Sequence, residues 1–195
     1  MIFNQNFRFC LAIAGLCLFA FASFTSAQRR DHMTEEEIEI VRDAQDIDLR
    51  IEVLIKMTDR RFAALGVDVA GWRPNEKTAD KWGPEPKGSR SELLMDIKKL
   101  IQKAVDDIDN LAENPNAAPI RDESERNSKQ AKRDARRLPD SVRMLAAAAR
   151  RYQPALKLLY DKTTEEKERG PILDAMESCD EIIAAEKNIP AQEKK

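Results

Sequence analysis

"SRSELLMDIKKLIQKAVDDIDNLAENP", Ser89 to Pro115, carries the clearest structural signal in the chain. Leu93, Leu94, Ile97, Leu100, Ile101, Ala104, Val105, Ile108 and Leu111 recur in steps of three and four. That spacing lines them along one stripe of an α-helix and leaves the charged residues between them for water. Ser89 and Glu92 have the spacing of a capping box, in which each side chain satisfies an orphan N–H of the first turn. Asn114 and Pro115 supply the stop.

Reading outward from this helix, residues 67–88 hold Pro74, Pro84, Pro86, Gly71, Gly83 and Gly88, which oppose any continuous element and predict a long loop. Before it, Thr34 and Glu37 repeat the capping box, and Ile38, Val41, Ala44, Ile47, Ile51, Leu54, Ile55, Thr58, Phe62 and Leu65 keep the helical step. The spacing predicts one helix from Thr34 to Leu65, ended by Gly66. "IDLRIEVLI" alternates as a strand would, but length and flanks favour helix, with Leu49 and Val53 widening its apolar face.

Beyond Pro115, "IRDESERNSKQAKRDARR", residues 120–137, has almost no large apolar side chain and reads as a solvated helix start or a linker. Leu138, Val142, Leu145, Ala149, Tyr152, Leu156, Leu159 and Tyr160 predict a third helix. Pro139 suits its first turn, and Pro154 predicts a kink near Arg150. A third capping box, Thr163 with Glu166, opens a last helix through Ile172, Met176, Cys179 and Ile183 to about Lys187; a start near Pro171 is the alternative. Four amphipathic stripes close on one another, which predicts an all-α, antiparallel four-helix bundle with a kinked third helix, a single domain over 34–188. Residues 189–195 read as a loose tail. No internal repeat is visible.

The start of the chain reads differently. "FCLAIAGLCLFAFASF" follows Arg8 without a charge and ends in "TSAQRR", with small Thr25 and Ala27 at processing offsets. This is the pattern of a signal peptide over 1–27, shorter than a spanning helix and followed by a flexible lead over 28–33. The expected product is exported to the periplasm or outside the cell and keeps no transmembrane segment. Of 33 Lys+Arg and 35 Asp+Glu, only Arg8 is lost, so the product is mildly acidic. That balance and the export argue against nucleic-acid binding, and the basic stretch Arg121–Arg137 has no aromatic residue interleaved to stack bases.

The expected chemistry is sparse. His32 is the one histidine of the chain, so a Cys/His zinc cage and a Glu-x-x-His iron pair are excluded by count. "DDIDNLAE", with Asp106, Asp107 and Asp109, fails the calcium-loop pattern at Leu111 and Ala112. No phosphate-binding glycine loop is present, and neither cofactor nor metal is expected. Carboxylate catalysis needs an acid on an apolar stripe, and Glu186 comes nearest to one. Cys179 is the single cysteine of the processed chain: a buried small hydrophobe, or a thiol that bridges to another chain.

That leaves "GWRPNEKTADKWG", Gly71 to Gly83, which holds both tryptophans. They can plug the open end of the bundle. Alternatively Trp72, Arg73, Lys77, Lys81 and Trp82 form a contact surface for a small ligand or an envelope component. The sequence therefore points to an exported, non-catalytic helical domain whose partner is another protein or a second copy, with the tryptophan-loop binder as the other reading.

Overall fold

A computed structural model describes residues 30–114 and 129–189, the side chains of 129–136 excepted. The described chain is all-helical: α1 (Glu35–Asp43), α2 (Ile47–Ala64), the short α3 (Ala79–Trp82), α4 (Arg90–Glu113), α5 (Lys129–Lys162) and α6 (Glu166–Glu186). The expected signal peptide, residues 28–29 of the lead, the segment 120–128 and residues 190–195 lie outside the described residues. Among those described, no helix is long and apolar enough to cross a membrane.

The all-α reading holds, and the helices pack in a way compatible with a bundle. α2 lies against α4 and α5, and α6 lies against the same two. Ile51, Leu54, Met57, Phe62, Leu94, Ile97, Leu100, Leu156 and Ile172 are fully buried between them. Each such side chain contributes about 1.5–3 kcal/mol when it leaves water.

Helix direction differs from the expected antiparallel arrangement. Arg137 pairs with Asp46 and Asp48, and Arg151 with Asp59, so α2 and α5 run the same way. Arg90 pairs with Glu168 and Lys98 with Asp174, so α4 and α6 are also parallel. Arg150 with Glu186 and Gln153 with Asp180 make α5 and α6 antiparallel, and α2, which follows α5, therefore runs opposite to α4, which follows α6. Apolar stripes specify that helices pack, but carry no information on their direction.

The first expected helix is broken. α1 ends at Asp43, Ala44 adopts a non-helical ψ of 78°, and Asp46 caps α2 in extended conformation. The chain then reverses: Glu37 meets Arg60 and Arg61, while the Arg50 Nε–H donates to the Ala44 carbonyl at 3.0 Å. The apolar step ran unbroken through this turn because Ala44 and Ile47 are both buried inside it. Leu49, expected on the apolar face, is 49% exposed.

Capping follows the sequence at two of three places. The Thr34–Glu37 and Ser89–Glu92 boxes form with both reciprocal bonds. The third does not: α6 starts at Glu166, and buried Thr163 donates its hydroxyl to Glu168 instead. Buried Glu168 also accepts from the Arg90 Nε, so one carboxylate ties the α5–α6 turn to the start of α4. α5 runs continuously through Pro139 and Pro154, and since it begins at Lys129, Pro139 lies inside it and not in its first turn.

Candidate functional site

The last turns of α2 put Thr58, Asp59, Arg60 and Arg61 side by side, and all four are buried. Four consecutive buried polar residues are unusual on a helix, since a buried charge is tolerated only when paired and hydrogen-bonded. Thr58 donates to the Leu54 carbonyl at 2.9 Å, and two clamps engage the other three and hold the loop of residues 67–88.

Asp59 forms the first clamp. Its carboxylate accepts from the Tyr152 hydroxyl at 2.8 Å, from the Trp72 backbone N–H at 2.8 Å and from an Arg151 guanidinium N–H at 3.3 Å. Arg151 also donates to the Val69 carbonyl at 3.0 Å, so the two ends of the segment Val69–Trp72 are gripped by α2 and α5. Between these grips Ala70 takes a left-handed φ of 50°, a conformation that strains a residue with a Cβ by about 1–2 kcal/mol. Gly71 follows because there is no room for anything larger: a Cβ would sit 2.4 Å from the Asp59 Cγ. Burial, and then the Asp59 carboxylate, raise the Tyr152 phenol well above its usual range, which keeps it a neutral donor.

Glu37 forms the second. It is fully buried and accepts from Arg60 at 2.6 Å, from two guanidinium nitrogens of Arg61 and from the Thr34 N–H at 3.0 Å. The guanidinium groups reach onward. Arg60 donates to the Pro84 carbonyl at 2.6 Å and the Gly83 carbonyl at 3.3 Å, and Arg61 donates to the His32 carbonyl at 2.7 Å. The Nε of Arg61 lies 3.9 Å from an Asp96 oxygen, beyond hydrogen-bond distance. Desolvation pulls the Arg60 guanidinium below its ordinary range, and Glu37 opposes that shift.

The loop between the clamps brings the two tryptophans together. Their ring centroids are 4.7 Å apart at an interplanar angle of 47°. Arg60 stacks over Trp82 at 5.6 Å and Lys56 over Trp72 at 5.4 Å. Cation–π contacts of this kind contribute about 0.5–1 kcal/mol at exposed sites. Trp82 is buried, Trp72 is half-buried, and α3 packs on α1. Arg73, Lys77 and Lys81 are exposed, but so are Glu76 and Asp80 between them and Glu85 after them, so the loop presents alternating charge and no basic patch. The surface dimple at Asp59, Val69, Gly71, Trp72 and Arg73 offers no enclosed room even for one water molecule.

Cys179 lies in the core with no exposed surface, and burial, with a smaller effect of Asp180, pushes its thiol up to about 12. It is free and buried, the placement that the first of the two expectations, a buried small hydrophobe, describes. Glu186 is partly exposed and pairs with Arg150 at the end of α6. The described residues contain no cluster of three or more metal-binding side chains.

Reading the sequence missed both clamps. Glu37 was legible as a capping residue, and it does cap, but the same carboxylate has enough lone-pair positions to accept from two arginines as well. The available signal was "TDRRF", a run of charge on the helix face that periodicity assigns to the core. Comparison with known proteins finds no matching family model, no matching curated protein and no matching solved structure.

Proposed function

We propose that this chain is an exported, non-catalytic helical domain that acts as a scaffold or protein-interaction module. In this reading residues 1–27 are removed on export to the periplasm or beyond, and α2, α4, α5 and α6 close as a four-helix bundle with mixed helix directions. The observation that supports it is the use of the chain's best chemical groups in internal ties. Asp59, Glu37, Arg60 and Arg61 are engaged with one another, with Tyr152 and with loop backbone. A group held this way positions structure and has no open face for a reacting molecule.

Two measurements test the proposal. N-terminal sequencing of the product recovered outside the cytoplasm should begin at Gln28. In-cell photo-crosslinking from the exposed positions Leu158 and Leu173 should trap discrete protein adducts. Turnover of a substrate by the purified chain, abolished by a folded Asp59→Asn variant, would overturn it.

The tryptophan-loop reading keeps one specific support: Trp72 is only half-buried and stands beside exposed Arg73. A ligand bound there by Trp72, Arg73, Lys77, Lys81 and Trp82 would shift indole emission. Titration with envelope glycans or lipid headgroups that leaves emission unchanged removes this alternative.

A further inference from the structure

The reversal between α1 and α2 rests on very little local chemistry. Ala44, at φ −78° and ψ 78°, centres an inverse γ-turn in which the Gln45 N–H donates to the Asp43 carbonyl at 2.9 Å. No glycine or proline lies between Thr34 and Leu65. From Glu37 through Ile40, Ala44 and Ile47 to Thr58 and Arg61, buried positions recur in unbroken steps of three and four. Two side chains hold the turn: Gln45 Nε2 donates to the Arg42 carbonyl at 2.6 Å, and Arg50 donates to the Ala44 carbonyl. A continuous helix would give these carbonyls ordinary backbone partners. The local sequence therefore suits two shapes, the folded-back pair and one straight helix.

What selects the folded-back pair is the seat of α1. Glu37 accepts from Arg60 and Arg61, Ile40 is buried, and Glu36 packs against Gly83. The seat is built by the rest of the body. Arg60 also donates to the Gly83 and Pro84 carbonyls and stacks over Trp82, ties that do not involve α1. Glu37 and Arg61 are 24 positions apart, about 36 Å along a straight helix, so straightening takes Glu37 away from its own arginines. Two buried guanidinium groups then need a carboxylate. The helix that matches their seat in shape and charge is α1 of a second copy.

We infer that two copies of the chain exchange α1: residues 44–46 straighten, and the Glu37 of each copy seats on the Arg60 and Arg61 of the other. Every α1 contact is re-formed and only the hinge changes. The contact is isologous, so it closes as a two-fold dimer. The exchange goes beyond the interaction-module reading and does not depend on it.

The exported product, purified, unfolded in urea and refolded at about 1 μM or about 1 mM, should give monomer at the lower concentration and dimer at the higher by sedimentation velocity. Gln45 is exposed, so it reports on the hinge. Gln45→Gly weakens the straight helix and should lower the dimerisation constant. Gln45→Ala strengthens that helix, removes the bond to Arg42 and should raise the constant. With two hinges per dimer, the two variants should differ about thirtyfold. Nitroxide labels on Glu39→Cys and Lys81→Cys, exposed positions on α1 and on α3 packed against it, locate the exchanged helix. Buried Cys179 stays unlabelled in folded protein. Singly labelled copies refolded together at the higher concentration should show, between copies, the short distance found within a doubly labelled monomer. Wild type and Gln45→Ala that both stay monomeric and keep that distance overturn the inference, and leave the module reading to the crosslinking test. So does a dimer indifferent to both substitutions, or one without the short distance between copies. A monomeric Gln45→Ala that loses the distance overturns it in favour of a different carboxylate-bearing partner for Arg60 and Arg61.

Discussion

Glu37 shows how much one carboxylate can hold. It closes the N-terminal turn of α1 and accepts from two arginines whose other donors reach the backbone at His32, Gly83 and Pro84. Glu37→Gln leaves two guanidinium groups buried against a neutral amide. The expected loss is about 3–5 kcal/mol in urea unfolding, against under about 0.5 kcal/mol for exposed Glu39→Gln. Gly71→Ala forces a methyl onto the Asp59 carboxylate and should lower stability by about 1–3 kcal/mol while exposing Trp72 to quencher. Cys179, buried and with its thiol pushed up to about 12, should react with a thiol reagent at pH 8 only on the timescale of unfolding. A reducible dimer from folded protein would contradict this placement.

At the scale of the element, the helix starts obey local chemistry except where a tertiary partner competes. Thr34 and Ser89 cap as their spacing requires. Thr163 does not, since Glu168 is one turn further on and also meets Arg90. The Thr163 hydroxyl, and after it Arg90, hold the Glu168 carboxyl below its usual range. A depressed folded-state value means the stabilisation is present above the unfolded pKa, about 4.3, and is lost as pH falls through the lower folded value. Urea midpoints measured from pH 6 downward should therefore drop below about pH 4 in the wild type and drop less steeply in Glu168→Gln. The break between α1 and α2 follows the same logic in reverse. Nothing between Asp43 and Asp46 forbids a helix locally, and the turn exists because Glu37 has arginines to meet at the far end of α2.

Across the whole molecule, hydrophobic periodicity and charged ties divide the work. Apolar stripes on α2, α4, α5 and α6 supply the burial, and ion pairs at Arg137, Arg90, Lys98 and Arg150 mark which helix lies beside which and in what direction. Exposed pairs of this kind add little stability each but select among packings of similar burial. The sequence alone determined the helical class, the extent of α4, two of the capping boxes and the long loop between α2 and α4. Each of those depends on residues within a turn or two of one another. Tertiary structure decided the α1–α2 reversal, the parallel pairing of α2 with α5 and the two clamps on the tryptophan loop. Those depend on a charge finding its partner across twenty to ninety residues, and the free energy that selects such a pair exists only once the surrounding water has been removed by folding.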